Sequence, residues 1–199
     1  MYKTLTSDNK GPYSHFDFTP YLPTKTWHDC PECHNDGTQC DRCDGDGGWD
    51  EWKPGKWLPK VDSLEMCETG YHVTDAAHLV TWLDAQIYEV ETGGKCLSGD
   101  DKDAYQKIRL TRKLETWNDK TARLFACWCV RQVWNLLTDE RSKTAIEVAE
   151  RYVNGEATEE ELAAAGAAAR DAARAAARAA AWDAARDAQT KHLIEILGE

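Results

Sequence analysis

The period of apolar and polar positions changes along the chain, and those changes divide it. Residues 1–26 show no sustained period. Aromatic and polar residues are mixed there and interrupted by Pro12, Pro20 and Pro23, so an extended or irregular segment is expected. Over about 75–85 the apolar residues Ala76, Ala77, Leu79, Val80 and Leu83 fall on one side of a helix, with Thr74 as its N-cap. Alternation of period two then predicts strands over 87–91 and 107–111. Gly93-Gly94 reads as a turn between them, and Ser98-Gly99-Asp100-Asp101 as a loop.

From Asn118 onward the pattern is helical. Asn118 or Asp119 caps a helix whose apolar positions are Ala122, Phe125, Ala126, Cys129, Val133, Trp134 and Leu137. The run Asp139 to Ser142 breaks it, a second helix spans about 143–153, and Asn154-Gly155 ends that one. Thr158 and Glu161 form a capping box, in which hydroxyl and carboxylate each satisfy the other residue's amide. The helix it starts is expected to reach about Leu197, a rod of ~60 Å. Arg170, Arg174, Arg178, Trp182 and Arg186 recur every four residues along its alanine-rich tract, and the arginines are candidate partner contacts.

The expected fold class is thus α+β. A small mixed α/β domain covers 1–116, with a zinc knuckle inserted at 27–50, and a helical domain over 117–199 ends in the long alanine-rich helix.

Charge narrows the partners. The 199-residue chain has a formal net charge of −11, and residues 1–105 hold all of the excess, with 9 Lys+Arg against 20 Asp+Glu. Such a surface repels nucleic-acid phosphates and favours a basic partner, or no charged partner at all. No run approaches the roughly 18 apolar residues of a membrane span. The opening Met1 to Asp8 has no apolar core of signal-peptide type, so a cytoplasmic location is expected.

The strongest chemical signal is Cys30-Pro31-Glu32-Cys33, six residues, then Cys40-Asp41-Arg42-Cys43. Each C-x-x-C turn points two sulfurs the same way, and two such turns close a tetrahedron around one Zn²⁺ at about 2.3 Å per sulfur. The alternatives are a redox dithiol and a segment without metal. His28 and His34 lie nearby as substitute ligands, but four thiolates already complete the set. A site closed by four sulfurs leaves no position for a reacting water, so the zinc is expected to be structural. Cys67, Cys96, Cys127 and Cys129 are expected to be small buried residues, with Cys127 and Cys129 on different faces of their helix. The unit Cys40-x-x-Cys43-x-Gly45-x-Gly47 repeats Cys30-x-x-Cys33-x-Asn35-x-Gly37 ten residues earlier. This resembles the cysteine-rich repeat of DnaJ-type chaperones, and the resemblance implies a zinc module of one site, not chaperone activity.

A second cluster, Cys67-Glu68-Thr69-Gly70-Tyr71-His72-Val73, precedes the acid-rich strand holding Glu89 and Glu91. A histidine with two carboxylates is a candidate acid–base set. The arrangement resembles ADP-ribosyltransferase-like folds, which implies a pocket for NAD or another nucleotide. A hydrogen-bonded core histidine and solvated strand carboxylates are the structural alternative.

Gly11-Pro12-Tyr13-Ser14, Gly55-x-Trp57, Cys67-x-x-Gly70-Tyr71-His72-Val73 and Tyr88-x-Val90-Glu91 together resemble a family of uncharacterised phage and prophage proteins. The stretch from Trp117 to Ala126 fits the same pattern. Asp139-Glu140-Arg141-Ser142, Ala145-Ile146 and Gly155-Glu156-Ala157-Thr158 resemble helical segments of bacterial immunity proteins. Neither resemblance supplies a catalytic set. With the acidic first half, nine tryptophans and the zinc-braced loop, the expectation is a small phage-type accessory protein of the bacterial host cell's cytoplasm that acts by protein binding, as a modulator or inhibitor of a host protein. An enzyme using NAD or a nucleotide is the second expectation. A structural protein that self-associates through the long helix is the third.

Overall fold

Six strands organise the described part of the first half: β1 (Tyr2–Leu5), β2 (Thr24–Asp29), β3 (Gly48–Lys53), β4 (Tyr71–Val73), β5 (Gln86–Ser98) and β6 (Asp103–Lys113). The computed structural model describes residues 1–32, 43, 46–132 and 134–171, and its fold class is α+β. The chain divides into two compact units, Met1–Asn118 and Asp119–Glu199.

β6 carries the cleanest alternation and forms the centre. Ala104, Gln106, Ile108 and Leu110 are buried on one face, while the residues between them are partly exposed. β6 pairs antiparallel with β5 along one edge and with β4 on the other, and β1 extends the far side of β5, giving the order β1-β5-β6-β4. The two outer strands then meet. Tyr2 and Thr74 exchange backbone hydrogen bonds of 2.8 and 3.0 Å, so the sheet curls until β1 touches the end of β4. Inside the curl sit Leu5, Phe18, Leu58, Val73, Tyr88, Ile108 and Leu110, all nearly inaccessible to solvent. Burial of such side chains stabilises by roughly 1.5–3 kcal/mol each, which makes this cluster the main support of the unit.

The rest of β6's outer edge is covered by an irregular segment. The amides of Gly55, Leu58 and Val61 donate to the carbonyls of Leu110, Ile108 and Gln106. Donors fall every third residue, so Pro54 and Pro59 sit where no amide is needed, and a long edge is protected from further pairing. Gly55 is there for space: a Cβ would lie 1.9 Å from the Tyr21 carbonyl oxygen.

Several expectations are corrected. Residues 75–85 form no α-helix but a turn and a short 3-10 segment, Leu79–Trp82. The Asp75 carboxylate accepts from the His78 amide at 2.9 Å and holds the chain in that turn, while Ala76, Ala77 and Val80 stay exposed, so no apolar face is buried to drive a helix. Thr74, expected as the cap, is buried in the bridge to Tyr2, and its hydroxyl donates to the Asp101 carbonyl. Gly93-Gly94 makes no turn. The strand continues through a bulge at which Gly94 takes φ +81°, and the Gln106 side chain accepts from the Lys95 amide. The first 26 residues are not all irregular, because they supply β1, the core residues Leu5 and Phe18, and the start of β2.

In the second unit, α1 (Asp119–Gln132) and α2 (Glu140–Val153) are described together with a helical run over 159–171. Asp139 caps α2 by accepting from the Arg141 and Ser142 amides, so the segment expected to break the helix starts the next one. Arg131 of α1 grips Glu150 of α2 through two hydrogen bonds, and its guanidinium lies 4.0 Å from the Trp134 ring centre. The Glu150 carboxylate is held below its usual range by that contact. The Thr158–Glu161 capping box forms as expected, at 2.7 and 3.2 Å. Most of the long alanine-rich helix lies outside the described residues. Cys127 is buried and Cys129 exposed, on different faces as expected, but Cys67, Cys96 and Cys129 are exposed and not the buried residues anticipated.

Candidate functional site

The cysteine segment hangs on a two-stranded hairpin. β2 and β3 pair from Thr24↔Lys53 to Asp29↔Gly48, and Cys30 follows β2 directly, its amide donating to the Gly47 carbonyl at 2.7 Å. Cys30 and Cys43 are buried in one cluster against Trp49, with 2% and 7% of their surfaces accessible. The strand pairing therefore brings together the first and last of the four expected ligands, which are thirteen positions apart in the sequence. Cys33 and Cys40, with His34, lie outside the described residues. His28 is engaged elsewhere: its ring stacks on Trp49 at 5.6 Å, and its Nε2 lies 2.8 Å from the Glu51 carboxylate. Among the described residues no group of three or more metal-binding side chains converges.

The hairpin itself is poorly buried. In β2 only His28 is even partly covered, and in β3 only Gly48 is buried while Trp49 and Trp52 are half-covered. Trp27 exposes 51% of its surface and donates its indole N–H to Asp29. Lys25 reaches both Asp50 and Glu115, tying the hairpin to the chain just past β6.

A second feature lies at the seam where β1 and β4 meet. A cleft of about 660 Å³ is lined by β1, β4, the loop holding Tyr13 and Phe16, and the side chains of Cys67, Trp82 and Lys102. His72 lies in its wall. The Cys67 amide donates to His72 Nε2 at 2.9 Å, which makes Nε2 the acceptor and places the neutral ring's proton on Nδ1. Burial, then the charges of Lys3 and Lys102, push the His72 pKa below its ordinary value. The same bond steadies Cys67 at φ +67°, a left-handed conformation unusual for a residue with a side chain.

Glu89 and Glu91 are not brought to His72. Neither lines the cleft; Arg112 forks onto Glu89 at 2.7 and 2.9 Å, and Arg109 holds Glu91. The Arg112 contact keeps the Glu89 carboxyl below its usual range, away from the pKa that a general acid at neutral pH needs. Arg170 is exposed on the helical run 159–171, whereas Arg174, Arg178 and Arg186 lie outside the described residues. The cleft lysines were missed in the sequence because Lys3 lies in a stretch read as irregular and Lys102 in a loop. No family model, curated protein or solved structure matches this chain. No described helix is long and apolar enough to cross a membrane.

Proposed function

We propose that this chain is a zinc-braced binding protein, an accessory protein of phage type that engages a host protein through its acidic first half. The carrying observation is the contrast within the hairpin: Cys30 and Cys43 are buried together under Trp49, while the strands that deliver them bury almost nothing. A lone two-stranded hairpin is marginal in water, so a cross-link at its tip has to stabilise it. One Zn²⁺ held by Cys30, Cys33, Cys40 and Cys43 supplies that link and has no open coordination position for catalysis.

The braced surface suits a basic partner. Trp27 offers an exposed aromatic anchor, with Asp29 and its cross-strand partner Asp50 beside it. The resemblance to phage and prophage proteins supports a host protein as that partner. The test is elemental analysis of the purified chain together with affinity capture from bacterial lysate. One zinc per chain is expected, and a captured protein that is lost with the Cys40→Ser variant. A metal-free chain, or capture that is indifferent to Cys40→Ser, would sink the proposal.

A further inference from the structure

The cleft at the β1–β4 seam holds two lysines, Lys3 and Lys102, and neither forms an ion pair with a carboxylate among the described residues. What sets the pair apart is that both lysines line one cleft, in a half of the chain with 20 acidic residues to 9 basic ones. Glu68 is the acidic residue in the wall.

Lys3 is the more telling of the two. Strand alternation sets it on the same side of β1 as Leu5, so its stem runs toward the core, and it is partly buried. Its ammonium lies 5.7 Å from the Phe18 ring centre and donates to the His72 carbonyl at 3.0 Å. Burial first, and then the charge of Lys102, lower its pKa from 10.5 to about 8. Lys102 lies 4.0 Å from the ring centre of Trp82. The indole N–H of Trp82 is itself a buried donor without an acceptor among the described residues. One wall thus holds two ammonium groups without a carboxylate partner and one buried indole donor without an acceptor among the described residues, and an unsatisfied buried donor costs about 1–3 kcal/mol.

The mouth has a different chemistry. Tyr13, 80% exposed, packs edge-on to Trp82 with ring centres 5.9 Å apart, and Phe16 packs edge-on to Tyr71 at 6.3 Å. Aromatic faces held open beside a cationic floor favour a ring attached to an anion.

We propose that this cleft binds a small ligand in which a planar ring carries an oxyanion, phosphate or carboxylate. The oxyanion sits between the Lys3 and Lys102 ammonium groups, and the ring rests against Tyr13 and Phe16. A modest turn of Trp82 lets its N–H join the oxyanion. None of β2 or β3 lines the cleft, so binding is independent of the zinc hairpin.

Calorimetric titration of the full chain with phenyl phosphate, benzoate, inorganic phosphate and phenol tests this. Phenyl phosphate or benzoate is expected to saturate with a Kd below about 1 mM, and the tighter of the two identifies the oxyanion. Inorganic phosphate is expected to be at least about tenfold weaker, and phenol to give no heat. Lys3→Met and Lys102→Met should each weaken the ring-bearing anion by about tenfold or more, with a melting temperature no lower than the parent's. Lys102, on the turn leading into β6, serves as the test if the Lys3 variant fails to fold. Saturation by none of the four probes at about 10 mM would overturn the proposal, as would unchanged affinity in the Lys102→Met variant.

Discussion

Two neighbouring sheets in one unit differ in what their strands bury. The curled sheet of β1, β5, β6 and β4 encloses a continuous apolar cluster, in which Leu5, Ile108 and Leu110 have no accessible surface. The hairpin of β2 and β3 has six paired positions and almost no burial. Backbone pairing is common to both, so hydrogen bonds alone cannot account for the stability of the first. Their net contribution is modest because water competes for the same groups. The difference is what the strands cover. The curled sheet is secured by the core it covers; for the hairpin, which covers little, we propose that the zinc supplies the link.

The largest effect should come from breaking the first half of that contrast. Ile108→Ala removes a fully buried side chain from the middle of the central strand and should cost about 2–5 kcal/mol in global stability, read by urea denaturation. Hairpin residues give the counterpart. Thr26→Ala on exposed β2 should change global stability by no more than about 0.5 kcal/mol. Comparable losses at the two positions would mean that the hairpin shares the core and that the contrast is misplaced.

Next comes the cross-link. If the proposed zinc is present, its chelation under reducing conditions should accelerate amide exchange across the hairpin, Thr24–Asp29 and Gly48–Lys53, while β5 and β6 amides keep their protection. Equal loss of protection in β6 would show that the brace supports the whole unit. Unchanged exchange in the hairpin would show that its pairing needs no metal.

These differences also decide what could be read from the sequence. The alternation at 107–111 was legible because one face of β6 is buried and the other is not, and that is the condition under which period two appears. The capping box at Thr158 and the cap at Asn154-Gly155 were legible because each is a local hydrogen-bond arrangement set by residue type. The 75–85 segment misled for the converse reason. Its apolar spacing fits a helix, but Ala76 and Val80 point to solvent, and the Asp75 side chain fixes the turn that the spacing cannot report. β1 was illegible since four residues of mixed polarity gain their meaning from Glu89 and Tyr88 across the ladder. The cysteine spacing was visible from the sequence; the cleft was not, because its walls come from segments up to about a hundred residues apart, Lys3 and Lys102 among them.

A smaller effect concerns a turn in the sheet region that is held by a side chain. His72 accepts the Cys67 amide at Nε2 only while that nitrogen is unprotonated. Its folded pKa is depressed, so the unfolded chain binds the proton first as pH falls. The stabilising bond is therefore complete above the ordinary histidine value of 6.5 and is lost as pH drops toward the folded value. Melting temperature should decline with pH below 6.5, before the carboxylates with lowered pKa values begin to titrate. His72→Gln, which keeps an acceptor but cannot titrate in this range, should flatten that decline. An unchanged slope would remove His72 as its source.

The smallest effect tests the link between the two sheets. Lys25 contacts Asp50 on the opposite hairpin strand and Glu115 beyond β6, and all three side chains are at least partly open to water. Its ammonium is held above the ordinary lysine value by those two carboxylates. Exposed ion pairs contribute little because water and salt screen them and two long side chains must be ordered. Lys25→Met should therefore leave the global melting temperature where it is. The lysine nonetheless joins a hairpin that burial does not secure to a sheet that burial does, so its loss should appear locally. Amide exchange at Lys25 and Trp52, which face each other in the hairpin register, should quicken modestly in the variant, and added salt should produce the same change in the parent. Were the variant instead to melt several degrees lower, the hairpin would belong to the sheet's cooperative unit, and the separation between burial and cross-linking would have to be drawn elsewhere.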